Sequence, residues 1–136
     1  KFRTMIENAP INCPTHLFDN PEAYITKIGQ FLRKTSLDEL PQLINIIKGD
    51  MSFIGPRPSL VNQLDLIRLR NENGASALRP GITGLAQVNG RDQLSTHQKA
   101  ELDGIYSQHV TLLTDLNILL RTISTVITQT GYKEGK

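Results

Sequence analysis

The sequence predicts a small α+β domain, predominantly helical, with short strands and Gly/Pro-rich loops. Three observations predict it. The chain has 136 residues, near the commonest single-domain size, so one domain spanning 1–136 is expected to bury about two-thirds of its unfolded surface. Apolar residues recur at three- and four-residue spacing in several separate segments, the period of amphipathic helices. Between those segments, Gly55-Pro56-Arg57-Pro58 and Arg79-Pro80-Gly81-Ile82-Thr83-Gly84 read as loops that leave room for short strands at most.

Taken in order, residues 6–21 are punctuated by Pro10, Pro14, Asp19-Asn20 and Pro21 and read as irregular, with Asn20 capping a short helix whose first residue is Pro21. Ile25, Ile28, Phe31 and Leu32 follow at helical spacing, which Gly29 weakens. Ser36, with Glu39 three residues on, has the pattern of a capping box. It opens a helix with the apolar stripe Leu37, Leu40, Leu43, Ile44 and Ile47 and a stop near Gly49. Asp38, Gln42 and Asn45 fall on the opposite face. Pro41 is slightly too deep for a helix capped by Ser36 and harmless in one capped by Asp38. Either way Asp38 and Glu39 occupy the first turn, where the helix dipole favours negative charge.

Residues 60–70 predict a further helix through Leu60, Leu64 and Ile67 that stops in Asn71-Glu72-Asn73-Gly74. A short strand is expected near 85–89. Ser95 with Gln98 forms a second capping box ahead of a helix running through His109, with Leu102, Ile105 and Tyr106 inward. Residues 114–130 carry the clearest helical pattern, with Leu116, Leu119, Leu120, Ile123, Val126 and Ile127 in one stripe and Gly131 as the stop. That stripe is expected in the core, with a membrane-surface face as the alternative.

Composition excludes several classes of protein. At 38% hydrophobic and 21% charged residues the chain is globular and not disordered. A net charge of +2 is too small to argue for nucleic acid, so any affinity for phosphate must be local. The single cysteine, Cys13, permits no intrachain disulfide and suits a reducing compartment, with a packing or loop role. No apolar run reaches the roughly 18 to 20 residues of a spanning helix, and the start lacks a signal-peptide layout, so the chain as written reads as cytosolic. It opens on Lys1-Phe2-Arg3-Thr4-Met5, which reads as the inside of a longer protein. His16, His97 and His109 are too scattered to suggest zinc. Dinucleotide, P-loop and hydrolase signatures are missing.

The chemistry-bearing features are acidic and basic. Asp38-Glu39 places two adjacent carboxylates where they either attack phosphorus and hold a divalent cation, or simply stabilise a helix start. About fifteen residues on, Arg57 sits between Pro56 and Pro58, a guanidinium on a stiff loop suited to gripping phosphate oxygens at two points. Arg79 and Arg91 also adjoin proline or glycine, and neighbouring glycines would let backbone N–H groups approach phosphate. For each arginine alone, solvated surface is as good a reading. Together the three favour a polyanion such as a nucleotide diphosphate, and the carboxylate–arginine pairing points to phosphoryl transfer. Asp50, just past Gly49, is a metal or structural carboxylate.

These residues resemble a known family. Lys1-Phe2-Arg3-Thr4-Met5, Leu32-Arg33-Lys34-Thr35-Ser36-Leu37-Asp38-Glu39-Leu40-Pro41-Gln42-Leu43, Gly49-Asp50-Met51-Ser52-Phe53-Ile54-Gly55-Pro56-Arg57-Pro58 and Pro80-Gly81-Ile82-Thr83-Gly84-Leu85-Ala86-Gln87-Val88 are similar, in this order, to bacterial sugar transferases, the monotopic phosphoglycosyl transferases. Leu102-Asp103 and Asp115-Leu116-Asn117-Ile118-Leu119 extend the likeness. The resemblance implies transfer of a sugar 1-phosphate from a UDP-sugar to a polyprenol phosphate, with release of UMP, at the cytoplasmic face of the bacterial inner membrane, as the initiating step of glycan assembly. It implies Mg²⁺ as cofactor, Asp38 as the nucleophile that forms a covalent phosphosugar intermediate, and Glu39 as its partner in metal binding or proton handling. Arg57 is the first candidate for the phosphate clamp, ahead of Arg79 and Arg91. A catalytically idle module that binds nucleotide-sugar or lipid phosphate is the rival reading. Homo-oligomerisation stays open. Family members carry an apolar re-entrant membrane hairpin directly before the Lys-Phe-Arg segment and tryptophans near the Thr-Gly-x-Ala-Gln motif and before the last helix. Residues 1–136 contain neither, with Leu85 and Leu113 nearby instead, so this stretch alone is expected to be soluble or peripheral.

Overall fold

A computed structural model describes residues 1–9 and 20–128 of the chain. The expectations for Pro10, Cys13, Pro14, His16, Asp19 and the stop at Gly131 lie outside the described residues. Within them, a 3-10 turn Pro21–Tyr24 leads into α1 (Lys27–Thr35), followed by a 3-10 turn Leu37–Glu39, α2 (Gln42–Lys48), β1 (Ser52–Ile54), α3 (Leu64–Glu72), β2 (Gly81–Thr83), α4 (Leu85–Val88), α5 (Thr96–Gln108) and α6 (Leu112–Thr128). This is the helical α+β domain that the periodicity predicts.

The strands pair in parallel, Ser52 with Gly81 and Ile54 with Thr83. A parallel pair needs a crossover, and α3 supplies it. Glycine makes the pairing possible at close quarters: a side chain on Gly81 would collide with the backbone of Gly55, and one on Gly84 with the carbonyl of Gly55. These glycines are therefore spent on backbone-to-backbone packing, where the sequence suggested that they free N–H groups for phosphate. Ile54, Tyr106 and Ile118 form the core, with Leu78, Leu85 and Val88 packed around them. The Thr83 and Thr122 hydroxyls meet at 2.7 Å and tie β2 to α6. Arg121 donates to the Val88 carbonyl at 3.2 Å and to Asn89 Oδ1 at 2.8 Å, which fixes α6 to the end of α4.

Several elements differ from expectation for identifiable reasons. The helix expected from Ser36 is divided. Ser36 takes a left-handed conformation (φ 59°) and closes α1, its N–H bonded to the Arg33 carbonyl, and its side chain makes no capping bond. Leu37–Glu39 then form a 3-10 turn, and Pro41, which has no N–H to give, becomes the residue from which α2 starts. Gly49 does end α2, at φ 84°. The strand expected near 85–89 is instead the helical turn α4, and the strands lie at Ser52–Ile54 and Gly81–Thr83. The helix expected over 60–70 begins only at Leu64, and ahead of it the Leu60 N–H donates to Gln63 Oε1 at 3.0 Å. The Ser95–Gln98 capping box forms as predicted, with both reciprocal bonds present.

Burial departs most from the pattern. Of the stripe on α6, Leu116, Leu119, Leu120, Ile123 and Ile127 are exposed, and the residue that reaches the core is Ile118. On α5 the inward residues are Ala100, Asp103, Gly104 and Tyr106, while Ile105 is exposed. Leu40, Leu43, Ile44 and Ile47 also face solvent, as do Ile28 and Phe31 on α1. Two successive helices thus carry exposed apolar faces among the described residues, although both have clear helical periodicity.

Candidate active site

The acidic pair sits in the 3-10 turn between α1 and α2, and the chain's first residues close over it. The Phe2 N–H donates to the Asp38 carbonyl at 2.8 Å, while Arg33 Nε donates to Thr4 Oγ1 at 2.8 Å and joins the opening segment to α1. Gly29 matters here: a side chain at this position would collide with the Thr4 carbonyl, so the residue that weakens the helical pattern is the one that lets the opening segment lie on α1. Asp38 is buried as a result, at 3% exposure. Its negative charge is matched by Lys1, whose Nζ lies 3.5 Å from Asp38 Oδ2.

Glu39 is matched from the other side. Arg57 Nη2 stands 3.1 Å from Glu39 Oε1. β1 delivers that arginine: Gly55 N–H bonds to the Thr83 carbonyl and Gly81 N–H to the Pro56 carbonyl, after which Pro56 and Pro58 stiffen the loop. Each carboxylate of the acidic turn therefore has its own cation, Lys1 for Asp38 and Arg57 for Glu39. A groove of about 260 Å³, bordered by Arg57, Ser59, Arg70 and Ser76, opens beside the loop.

Of the three arginines singled out in the sequence, Arg57 is the one the structure brings to the carboxylates. Arg79 is placed at the opposite end of α2: its Nη1 is 3.8 Å from the position that a Cβ would take on Gly49, and α2 is about 10 Å long. There it lines a separate cleft of about 360 Å³ with Ile46, Phe53, Tyr106 and Asp115. Arg91, half-buried with φ 48°, begins the 3-10 turn Arg91–Gln93 beyond α4, and no contact joins it to the carboxylates among the described residues. Asp50 is exposed past the end of α2, with its N–H on the Asn45 carbonyl.

Sequence reasoning missed three features. Lys1 belongs to a sequence motif that gives no sign of its pairing with Asp38. Arg70 and Asp103, 33 residues apart, form a buried ion pair, with Arg70 Nε and Nη2 at 2.9 and 2.6 Å from Asp103 Oδ2. Burial raises the Asp103 carboxyl above its usual range, against the lowering effect of the Arg70 charge and hydrogen bond. The Tyr106 hydroxyl donates to Asp115 Oδ1 at 2.7 Å. Burial first, and then that hydrogen bond and the Asp115 charge, raise the phenol well above its ordinary value.

Mg²⁺ fits this donor set in one way. Among the described residues no group of three or more His, Cys, Asp or Glu side chains is placed to hold a metal. Mg²⁺ is commonly held by one or two carboxylates together with substrate phosphates, and Asp38 and Glu39 supply that number. Lys1 and Arg57 already balance the two carboxylates. A bound diphosphate would therefore bring uncompensated negative charge that a divalent cation offsets.

Residues 1–129 match the family described as bacterial sugar transferase. EpsL, an uncharacterized sugar transferase of Bacillus subtilis, is 40% identical over 134 residues, which cover 98% of this chain and 64% of that protein. Undecaprenyl-phosphate galactose phosphotransferase of Salmonella typhimurium is 37% identical over 145 residues, covering 96% of this chain and 30% of that protein. UDP-glucose:undecaprenyl-phosphate glucose-1-phosphate transferase of Caulobacter vibrioides is 42% identical over 111 residues, covering 76% and 42% respectively. The chain spans less than two thirds of the length of each of these relatives. With the family matched across nearly its whole length, and with the acidic turn and the Gly-Pro-Arg-Pro loop joined in one cluster, this chain belongs to the bacterial sugar transferase family.

Proposed function

We propose that this domain transfers a sugar 1-phosphate from a UDP-sugar to a polyprenol phosphate and releases UMP, through a covalent intermediate on Asp38. The observation that carries the reading is the Arg57–Glu39 contact, which holds the Gly-Pro-Arg-Pro loop against the acidic turn. The names of the Salmonella and Caulobacter relatives supply the substrate classes. An Asp38 oxygen attacks the phosphorus that bears the sugar, the bond from that phosphorus to the bridging oxygen breaks, and UMP departs with the electron pair. A phosphate oxygen of the polyprenol phosphate then attacks the same phosphorus, which frees the Asp38 carboxylate and leaves a polyprenyl diphospho-sugar. Arg57 keeps donors beyond the one given to Glu39 and offers them to the donor's phosphate oxygens, where charge develops. Lys1 holds Asp38 in place until substrate arrives. Mg²⁺, held by Asp38 and Glu39 with the substrate phosphates, would supply charge neutralisation for the diphosphate.

The apolar faces of α1 and α2 support a membrane surface as the third partner. No helix among the described residues is long and apolar enough to cross a membrane, whereas Ile28, Phe31, Ile44 and Ile47 are exposed on the two helices that flank the acidic turn. An interfacial helix would bury such a face among lipid headgroups, and the polyprenol chain could then remain in lipid while its phosphate reaches Asp38. The cytoplasmic face of the bacterial inner membrane, where UDP-sugars are found, is the corresponding location.

The test is UMP release across a UDP-sugar panel, with Mg²⁺ and a short-chain polyprenol phosphate in detergent. Release that requires both donor and Asp38 supports the reading. Nucleotide-sugar binding without UMP release would replace it with the idle binding module.

A further inference from the structure

We propose that Arg70 is a positioning residue for Arg57, acting through the buried Arg70–Asp103 pair; the inference rests on Arg57 being the phosphate clamp. Arg70, on α3, is 7% exposed and Asp103, on α5, is 1% exposed. Two of the Arg70 nitrogens are committed to Asp103 Oδ2, and the third, Nη1, donates to the carbonyl of Arg57 at 2.9 Å. The guanidinium therefore joins three elements, the crossover helix, α5 and the loop after β1.

A buried ion pair is a poor stabiliser in itself, because desolvating both charges offsets most of their attraction, and apolar residues of similar volume often serve as well or better. What an apolar pair cannot provide is a directed donor to a backbone carbonyl. The loop has need of one. The contacts with β2 end at the Pro56 carbonyl, and the prolines at 56 and 58 carry no N–H to anchor the chain beyond it. Pro58 confines Arg57 to extended conformations without choosing the direction of its carbonyl. Arg70 chooses it, and so fixes the direction in which the Arg57 side chain leaves the loop toward Glu39.

The decisive variants are Arg70→Lys and the pair Arg70→Met with Asp103→Leu. Lysine keeps a positive charge on Asp103 and leaves no rigid fork to span the Arg57 carbonyl, while the apolar pair removes both buried charges together so that neither is stranded. Two readouts are needed. In the free protein, the backbone amide order parameters of Arg57 and Ser59 should fall toward the flexible range, below about 0.6, with those of α3 and α5 unchanged. In UMP release, kcat should fall about 100-fold, as misplacement of a catalytic group does, and the same change made in an Arg57→Ala background should add less than about twofold, because Arg70 acts through a side chain already gone. Unchanged loop order parameters in either folded variant, or losses that multiply in full with that of Arg57→Ala, would overturn the inference. Absence of UMP release by the unaltered protein would count against the proposed function alone, and the loop order parameters would still decide the role of Arg70.

Discussion

Arg57 and Glu39 meet at 3.1 Å across a gap of 18 positions in the chain, and through them the strand that ends the core and the turn that begins α2 become one site. Glu39 is largely shielded and Arg57 is about half exposed, so the pair has a dry side and a wet side. The carboxylate is shielded and the guanidinium still faces solvent. An arginine suits this place because its planar fork can hold a carboxylate with one nitrogen and a phosphate with others.

Arg57→Lys is therefore expected to be nearly as harmful as Arg57→Ala, each lowering kcat/KM for UMP release by about 100-fold, the scale of losing one donor to developing charge. A compact ammonium reaches Glu39 or a phosphate oxygen, not both. Steady-state kinetics of the two variants decide it: lysine activity within a few fold of wild type would reduce Arg57 to diffuse charge.

Asp38→Asn should abolish transfer, by at least about 10³-fold, while stability changes by about 1 kcal/mol, since asparagine fills the same volume and the lost partner, Lys1, is half exposed. Intact-mass measurement gives the sharper view. With UDP-sugar and Mg²⁺ but no acceptor, the wild-type protein gains a sugar-phosphate adduct at residue 38 and the variant does not. A wild-type spectrum free of adduct, with sequential kinetics, would exclude the covalent route.

Tyr106 supplies a pH signature that does not depend on catalysis. Its phenol titrates near 10 when unfolded, and burial with the Asp115 bond raises the folded value. A raised folded value means that this group's contribution is fully present below about pH 10 and is lost as pH climbs through the folded value. Tyr106→Phe should cost about 1 kcal/mol at pH 8 and flatten the fall in stability above pH 10. Urea midpoints at pH 8 and pH 11 measure both, and identical slopes for the two proteins would show that Tyr106 is not held as described.

The legible parts of the chain are those in which partners lie within a turn or two. Ser95 and Gln98 are three residues apart and cap α5 as read, and Gly49 ends α2 as read. The same pattern at Ser36 and Glu39 misled, because Pro41 two positions beyond Glu39 and the close of α1 at Ser36 outweigh one capping bond. β1 and β2 were hidden by length, since three residues give no alternation to detect and their pairing spans the α3 crossover. Arg57 stood out through its flanking prolines. Arg70 did not, because a helical arginine reads as solvated surface until Asp103 is placed against it. Periodicity found α2 and α6 as helices but not which way they face: an apolar stripe signals a buried face without saying whether protein or something else buries it.

That last ambiguity is open to experiment on α2. Ile44 and Ile47, one turn apart and exposed at 57% and 86%, make little contact with the core, so a charge at either position should leave the fold intact, within about 0.5 kcal/mol. If the α2 face lies on lipid, each loses several methylene groups' worth of transfer energy, about 0.8 kcal/mol apiece, and the new carboxylate is repelled by anionic headgroups. Ile44→Glu with Ile47→Glu should then weaken binding to anionic liposomes by at least about tenfold and reduce turnover on a long-chain polyprenol phosphate in vesicles. Turnover on a short-chain acceptor in detergent should hardly change, because Asp38, Glu39 and Arg57 are untouched. Co-sedimentation and the two assays separate the possibilities. Equal vesicle binding by the variant would mean that α2 does not meet the membrane, and an equal loss in detergent would mean that its apolar face supports the active site instead.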